Sequence, residues 1–373
     1  MASTLLYANL CKSLPLFLFF FLLLLPLLVN ATPRRGMNVI DRCWRRDPRW
    51  AANRDRLAMC SVGFAGRMTK NRGRGLRRYV VTDNGDNPGR PRPGTLRYGA
   101  TMFPGRVWIT FSRDMHITLK RPLGVKSFTT IDGRGADVHI AHGAGFLLYQ
   151  VKSVIIHGLQ FHNIRAVKVA AGGDGDAIRL VKAAKVWIDH NTLYACKDGL
   201  IDVTRGSTGI TISNNWFKDH DKVMLLGHDD DYLRDARMRV TVAFNRFGPN
   251  CNQRMPRIRH GYVHLVNNFY DGWKDYAIGG SGSPIIRSEG NLFVASSSGN
   301  KEATMRISGK SNRWNWRSVN DAFTNGAFFR QTGFSPANPR YNAQQRFAAA
   351  SSRAVRSLTR NAGALRCNAR AIC

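Results

Sequence analysis

Between Tyr79 and Ser296, short hydrophobic runs rich in β-branched residues are separated by Gly, Asn, Asp and Ser. Apolar and polar positions alternate within many of these runs, a pattern typical of strands, and the residues between them are typical of turns. No amphipathic helical pattern longer than three turns interrupts the region. The pattern therefore predicts a long series of short strands joined by turns, without helices between them.

One phrase recurs inside this region: an alternating strand, then Asn, then a large apolar residue. The Asn of this phrase is Asn191, Asn215, Asn245, Asn268 and Asn291, and successive positions are 24, 30, 23 and 23 residues apart. A period in this range indicates stacked structural units, each burying its inward residues on the next. We therefore predict an all-β fold, a right-handed parallel β-helix, in which the repeated Asn residues are scaffold. The longer interval, between Asn215 and Asn245, predicts an inserted loop, the insertion.

The first 31 residues have the pattern of a secretion signal. Leu14–Val29 consists almost entirely of Leu and Phe, interrupted by Pro15 and Pro26. The run is shorter than the roughly 20 residues that a spanning helix needs. A signal peptide cleaved near Ala31 is therefore favoured over a membrane anchor. The mature protein is expected to be secreted, soluble and free of membrane.

The mature chain divides into three parts by composition. Residues 32–75 form a basic N-terminal extension, residues 76–296 the parallel β-helix catalytic domain, and residues 297–373 a C-terminal extension that packs on the helix or caps it. Within the last part, 343–359 is expected to form one helix. Terminal coils need covering, which is the expected role of this tail.

Six cysteines remain after removal of the signal, and an even number in an exported chain permits disulfides. The pairs with short loops, Cys43–Cys60 and Cys367–Cys373, are the expected bridges. The pairing of Cys196 and Cys251 stays open, because a buried cysteine is as often a small apolar core residue as a disulfide partner.

The chain carries 56 Lys and Arg against 24 Asp and Glu, a formal net charge of +32. A field of this size attracts polyanions: nucleic acid, anionic membrane or acidic polysaccharide. Export and the lack of a recognition motif argue against nucleic acid. An acidic polysaccharide is therefore the expected partner.

Four aspartates form two close pairs, Asp174 with Asp176 and Asp198 with Asp202, about one coil apart. A solenoid would bring the pairs side by side, where carboxylates repel one another unless a cation lies among them. Ligation by oxygen alone suits calcium. Solvated turn aspartates are the alternative. The run 229–231 is expected to be a solvated acidic loop, with a second ion left open.

Basic residues follow downstream: Lys222, then Arg254, Arg257 and Arg259 just before a strand. The three arginines do not share one strand face, so different roles are expected, although a solvated charged run is the simpler alternative. Calcium and these cations together would bind a polymer with one carboxylate per sugar. A cation on that carboxylate acidifies the adjacent carbon-bound proton, which a base removes. This is elimination, since the aspartates committed to metal leave no acid–carboxylate pair for hydrolysis.

Several motifs resemble the plant branch of the pectate lyase family, polysaccharide lyase family 1, over about residues 38–304. The matching text includes IDRCWR (40–45), GDGDAI (173–178), KDGLIDV (197–203), HDKVMLLGH (220–228) and QRMPRIRHGY (253–262). The resemblance implies a right-handed parallel β-helix, calcium, and cleavage of polygalacturonate to 4,5-unsaturated products in the plant cell wall. We expect a monomer.

The resemblance also assigns residues. It implies that Asp174, Asp176, Asp198 and Asp202 are the calcium ligands and Arg254 the catalytic base. Lys222 and Arg259 would contact substrate carboxylates, and Arg257 has a weaker claim. A guanidinium is normally protonated, but the neighbouring cations favour its neutral form.

Two other functions compete with the lyase. A catalytically weak pectate-binding protein is suggested by the very basic surface and by a segment between Phe161 and Gly173 that is shorter than in typical plant members. A pectin lyase acting on methyl-esterified polymer would need no calcium, and the presence of all four aspartates argues against it.

Overall fold

The computed structural model describes residues 36–167, 174–307 and 314–373. The predicted signal peptide, residues 1–31, lies outside these ranges. Parallel strands from successive coils stack into three long sheets, which form the three faces of a coil. This is the predicted parallel β-helix. In the described ranges, no helix has both the length and the apolar character needed to cross a membrane.

The first sheet has ten strands in the described part of the chain, ordered as in the sequence. They are Leu76–Val81, Arg106–Phe111, Thr129–Asp132, Lys152–His157, Ala184–Asp189, Thr208–Ser213, Arg239–Ala243, Tyr262–Val266, Ile285–Glu289 and Asn315–Val319. The recurring phrase found in the sequence supplies five of these strands.

The second sheet has eight described strands. They are Leu123–Gly124, Phe146–Tyr149, Ile178–Val181, Ile201–Thr204, Met224–Leu226, Arg257–Ile258, Ile278–Gly280 and Thr304–Arg306. A separate two-stranded sheet pairs His220–Lys222 with Cys251–Gln253. In the sequence, each of its strands comes just before a strand of the second sheet.

The third sheet has nine described strands. They are Met115–Ile117, Val138–Ala141, Gln160–His162, Thr192–Tyr194, Trp216–Lys218, Arg246–Phe247, Phe269–Asp271, Leu292–Val294 and Ala322–Thr324. The chain thus visits the three sheets in turn in each coil.

Inward side chains of successive coils stack on one another to form the core. Aromatic rings of the third sheet form one such column, in which Phe217 stacks on Phe247 at 5.0 Å and Tyr270 on Phe293 at 4.4 Å between ring centroids. Neighbouring strands lie about 4.8 Å apart, which is close to the distance between stacked rings. Each coil can therefore add one ring to the column. The core is continuous along the coil and leaves the outward residues free to build a site.

The repeated Asn residues form a buried ladder at the turn after the first sheet. The side chain of Asn215 donates to Asn245 Oδ1 at 3.1 Å, and that of Asn245 donates to Asn268 Oδ1 at 3.0 Å. Each amide also satisfies backbone groups of its neighbours, as where Asn215 N donates to Asn245 Oδ1. The prediction that these residues are scaffold is confirmed.

Both terminal extensions pack on the outside of the first sheet. The N-terminal one contains an α-helix, Val39–Trp44, and the 3-10 helices Arg54–Met59, Gly63–Ala65 and Thr69–Asn71. Its Trp44 and Trp50 are buried in a second apolar cluster with Trp108 and Trp187 of the sheet and Leu358 of the tail. Disulfides Cys43–Cys60 and Cys367–Cys373 are present as predicted, and Cys196 and Cys251 are free.

Two expectations about the C-terminal part differ from the structure. The strands continue past residue 296 as far as Thr324, so the expected boundary falls inside the sheets. The single helix expected over 343–359 is limited to a 3-10 turn, Ser352–Ala354, and a short α-helix, Val355–Leu358. Asn267 explains the second difference, because its side chain holds both the N–H and the carbonyl of Ala350 at 2.8 Å and keeps that backbone out of a helix.

Two further short helices complete the described elements. Tyr98–Met102 forms a single π-helical turn, and Leu233–Arg237 forms a 3-10 helix in the predicted insertion before Asn245. Buried Asp235 fixes the insertion by accepting hydrogen bonds from Gly206 N and His228 N.

Candidate active site

The two aspartate pairs lie on adjacent coils, where the chain turns into the second sheet. Ala177 N donates to Gly199 O at 3.0 Å, which stacks one turn on the next. Gly199 N in turn donates to Asp176 Oδ1 at 2.9 Å. A Cβ at Gly199 would lie 2.3 Å from Asp202 Oδ1 and 3.1 Å from Asp176 Oδ1, so both carboxylates close over this glycine. The spacing of one coil thus brings the pairs together as predicted.

The electrostatics of the cluster are those of carboxylates crowded together without a cation. Burial, followed by repulsion from Asp202, Asp174 and Asp198, raises the pKa of Asp176 to about 9. Burial, followed by repulsion from Asp198 and Asp174, raises the pKa of Asp202 to about 7. Both groups are therefore costly to ionise in the absence of a counter-charge.

The other two carboxylates of the cluster have cationic partners. Arg179 Nη1 donates to both oxygens of Asp174, at 3.0 and 3.1 Å, and Lys222 Nζ lies 3.4 Å from Asp198 Oδ1. Arg179 was not singled out from the sequence. The signal that could have identified Arg179 is its register in the second sheet, where it lies directly beside Asp202 on the next strand.

The donor set fits a hard divalent cation. Asp176 Oδ2 is buried and has no hydrogen-bond partner. The ligands on offer are carboxylate oxygens, which calcium prefers over nitrogen or sulfur. A cation among them would remove the repulsion that raises the pKa of Asp176 and Asp202.

Lys222 and Arg254 follow the aspartate turns on the next two coils. Lys222 pairs with Gln253 in the two-stranded sheet, and Met224 N donates to Arg254 O at 2.7 Å. Arg254 adopts a left-handed backbone conformation, with φ of 62°. It therefore sits at a sharp turn between the two-stranded sheet and the second sheet.

Arg257 and Arg259 have different environments, as their spacing predicts. Arg257 lies in the second sheet in the same outward row as Asp202 and Leu225. Arg259 instead donates through Nη1 to the carbonyls of Gly227, at 2.9 Å, and His228, at 2.7 Å. Its guanidinium therefore ties the strand to the insertion, and it stands at the edge of the site.

Polar atoms with unused hydrogen-bonding capacity accompany these residues. Among the described residues, Arg254 Nε and Arg257 Nε are buried without a hydrogen-bond partner. Burial raises the pKa of Tyr276, and the nearby Arg254 and Arg257 oppose this shift. Unpaired buried polar groups are costly and mark a place where a ligand can complete the hydrogen bonding.

The structure thus brings most of the predicted site residues to one side of the coil. Asp174, Asp176 and Asp198 lie on two adjacent turns, and Asp202 lies on the strand that follows the second turn. Lys222 lies on the next coil, and Arg254 and Arg257 share the coil after that. Arg259 is the exception, since its side chain is engaged by the insertion. In that insertion Asp230 accepts from Ser281 at 2.5 Å and lies 3.7 Å from Arg259 Nε, so this acidic side chain is tied into the protein.

Comparisons with known proteins agree with this architecture. A family model described as Pectate lyase matches residues 116–367. The chain is 51% identical over 344 residues to the Probable pectate lyase 4 of Arabidopsis thaliana, covering 91% of this chain and 92% of that protein. It is 51% identical over 345 residues to the Pectate lyase 1 of Juniperus ashei, covering 87% of this chain and 93% of that protein.

Solved structures give the same result. The crystal structure of Jun a 1, the major allergen from cedar pollen, superposes with a TM-score of 0.82 at 49% identity, covering 88% of this chain and 99% of that one. The pectate lyase Bsp165PelA from Bacillus sp. N165, in complex with trigalacturonate, has a TM-score of 0.60 at 22% identity and supports the fold alone, covering 82% of this chain and 98% of that one. By sequence and by fold, the chain belongs to the pectate lyase family.

Proposed function

We propose that this chain is a secreted, calcium-dependent pectate lyase that cleaves de-esterified 1,4-α-D-galacturonan by β-elimination. The products would be 4,5-unsaturated oligogalacturonides. The observation that carries the proposal is the cluster of Asp176 and Asp202, whose pKa values are raised to about 9 and about 7 mainly by burial and by neighbouring carboxylates. Such a cluster is stable when ionised only if a cation is bound.

Calcium would be held by Asp174, Asp176, Asp198 and Asp202. When bound, calcium would supply positive charge that neutralises a sugar carboxylate and acidifies the proton on the neighbouring carbon. On entering, calcium would compete with Arg179 for Asp174 and with Lys222 for Asp198. Both cations would then be free to bind carboxylates of the polymer, as Lys222 is expected to do.

The cationic residues of the following coils would bind and orient the substrate. Arg257, in the same row as Asp202, has an unpaired buried Nε. A planar guanidinium can hold a carboxylate with two parallel hydrogen bonds. Arg259 would act at the edge of the site, because Gly227 and His228 already occupy part of its hydrogen-bonding capacity.

In its neutral form, Arg254 would remove the proton next to the sugar carboxylate. The electron pair of that carbon–hydrogen bond would form the 4,5 double bond as the glycosidic oxygen leaves with its own bonding pair and takes up a proton from water. A base must lie within hydrogen-bonding reach of the proton that it takes. Arg254 follows the carboxylates on a later coil, and its unpaired buried Nε leaves the guanidine free to engage the substrate.

The direct test is to incubate purified protein with polygalacturonate and follow the ultraviolet absorbance of the unsaturated product. We expect activity with calcium, loss of activity with a chelator, and recovery when calcium is added back. Undiminished activity in the chelator would refute the metal role. A comparison of rates on esterified and de-esterified polymer distinguishes a pectate lyase from a pectin lyase.

A pectate-binding protein with little activity is the second candidate. It is favoured by the pairing of Asp174 with Arg179 and of Asp198 with Lys222, since these internal cations compete with calcium. Binding of pectate without product at any calcium concentration would support it over the lyase.

Secretion is a separate part of the proposal. It rests on the apolar segment before Ala31 and on the disulfides Cys43–Cys60 and Cys367–Cys373, which persist in oxidising compartments. N-terminal sequencing of the protein recovered from the plant cell wall should give a start just after Ala31. Recovery of the uncleaved chain from inside the cell would contradict it.

A further inference from the structure

Three histidines lie together on the outer face of the third sheet. His116 and His139 occupy the same register position on neighbouring strands, and their rings stack with centroids 4.1 Å apart. His162, on the next coil, places its Nε2 2.9 Å from His139 Nδ1. One ring nitrogen from each of the three lies within 4.8 Å of the others.

The groups around the rings favour nitrogen lone pairs that point inward. His162 Nδ1 lies 2.8 Å from Asn163 Oδ1, an acceptor, so Nδ1 carries the proton and Nε2 carries the lone pair that faces His139. On the far side of His139, Nε2 lies 3.2 Å from Asp137 Oδ1 and 3.1 Å from Gln160 Nε2, and the Gln160 amide also donates to Asp137 Oδ1 at 2.5 Å. When Nε2 of His139 carries the proton, Asp137 can accept a hydrogen bond from it. When Nε2 is unprotonated, Gln160 can donate a hydrogen bond to it.

This arrangement permits two states of the cluster. Without a metal, Gln160 donates to His139 Nε2, and His139 Nδ1 donates its proton to His162 Nε2. When the proton of His139 lies on Nε2 and is accepted by Asp137, two lone pairs face each other across 2.9 Å. A metal ion bound between them would relieve that repulsion while His139 keeps its proton on Nε2. Histidines that bind metals commonly donate their other ring N–H to a carboxylate or carbonyl in this way.

We propose that His116, His139 and His162 form a binding site for a divalent transition metal ion of the zinc class, with Asp137 and Asn163 orienting the rings. Zinc–nitrogen bonds are about 2.0–2.1 Å long, so two nitrogens on a tetrahedral ion lie about 3.3 Å apart. His139 Nδ1 and His162 Nε2, 2.9 Å apart, need to separate only slightly, whereas the stacked ring of His116 would rotate to join them. Imidazole nitrogen suits zinc, copper and nickel, whereas calcium prefers oxygen. The site is thus chemically distinct from the aspartate cluster.

The scaffold of the cluster suits a metal. The three residues lie on strands of adjacent coils, whose spacing the hydrogen-bonded sheet fixes. The ring of His142, with its centroid 5.7 Å from that of His162, borders the position left for a further ligand or water.

The test is calorimetric titration of tag-free, chelator-treated protein with zinc chloride, in buffer containing excess calcium to occupy the aspartate cluster. We expect one zinc ion per chain. His139→Ala and His162→Ala should weaken this binding at least ~100-fold, since loss of an outer-shell partner alone costs ~10–100-fold. His116→Ala, at an exposed position where folding is not at risk, should weaken it ~10-fold or more.

His228→Ala is the matched control, because His228 is a partly exposed histidine on the insertion, outside the cluster. It should bind zinc like the unmodified protein. Far-UV circular dichroism of each variant verifies folding, and cobalt in place of zinc adds a visible absorption band that only inner-sphere nitrogen ligation at this site should give. Absence of a stoichiometric zinc site, or zinc binding unchanged in His116→Ala and His139→Ala, would overturn the proposal.

Discussion

Asp202 and Arg257 occupy the same outward row of the second sheet, two coils apart, with Leu225 between them. Neighbouring parallel strands lie about 4.8 Å apart, so the backbones of the two residues are separated by roughly 10 Å. The hydrogen-bonded coil therefore sets the distance between a carboxylate that we assign to calcium and an arginine that we assign to substrate. Because both residues lie on strands, loop motion does not change this distance.

Replacement of the proposed base should abolish turnover and leave the fold intact. Arg254→Lys keeps the positive charge but loses the planar guanidinium, so we expect the rate of product formation to fall by ~100-fold to ~10,000-fold, the range of general base catalysis. The measurement is ultraviolet absorbance of the unsaturated product under saturating calcium. Arg90→Lys, at an exposed position, is the control and should retain full activity. A full rate in Arg254→Lys would refute the assignment.

Removal of one carboxylate from the cluster should remove stabilisation by calcium. Asp176→Asn keeps the shape of the side chain and relieves repulsion, so the metal-free variant should be at least as stable as the unmodified protein. Calcium at about 100 times its dissociation constant should stabilise the unmodified protein by about 2.7 kcal/mol, and the variant by far less. Thermal unfolding with and without calcium measures both.

The matched control for this prediction is Asp229→Asn, in the acidic insertion. Asp229 is exposed and lies outside the cluster. It should keep the full calcium effect. Loss of the effect in Asp229→Asn, and its retention in Asp176→Asn, would move the ion to the insertion and contradict the proposed site.

Interruption of the Asn ladder should destabilise the coil. Asn245 is fully buried, accepts from Asn215 and donates to Ile212 O at 2.9 Å. Asn245→Ala would leave these buried groups without partners, at a cost of about 1–3 kcal/mol each before any relaxation. We expect a loss of ~3 kcal/mol in chemical denaturation. Asn338→Ala, at an exposed position, should change stability little, and equal stability of the two variants would count against a structural ladder.

The pH dependence of stability should depend on His190. Burial disfavours its charged form, but the carboxylates of Asp189 and Asp41 outweigh this and raise the pKa of His190 to about 9. A folded-state pKa above the ordinary 6.5 stabilises the protein fully below that pH, and this stability is lost as the pH rises through about 9. The expected loss is at most about 3 kcal/mol.

Denaturation at a series of pH values, in excess calcium, measures this loss. His190→Gln should be less stable at neutral pH and should show a flatter decline towards pH 9. His228→Gln should keep the slope of the unmodified protein. An unchanged slope in His190→Gln would mean that other groups set the alkaline limit.

The fold was predictable where the repeat is regular and not where it changes. The Asn residues from Asn191 to Asn291 recur once in each coil, because the side-chain amide of each one donates a hydrogen bond to the next. Beyond them the ladder continues with Asp321, whose Oδ1 accepts from Asn291 at 3.1 Å, so a search for Asn could not find the last coil. The tail at Ala350 was also beyond prediction, since a distant side chain, Asn267, fixes its backbone.

The aspartates of the candidate site were predictable because their spacing equals one coil. Arg179 was not, since its contact with Asp174 depends on the shape of a turn that local sequence does not specify. The histidine cluster left a signal that was missed: His116, His139 and His162 are 23 residues apart, the same interval that separates the later ladder residues. In a solenoid, any residue type repeated at the coil period deserves inspection as a site.

The most direct test of the central claim is the anomalous diffraction signal from crystals grown with calcium. We predict one calcium ion held by carboxylate oxygens of Asp174, Asp176, Asp198 and Asp202 at about 2.3–2.6 Å, with Arg179 and Lys222 displaced. Scattered carboxylates without an ion, or calcium bound only at the acidic insertion, would contradict the proposal that these two turns form the metal site.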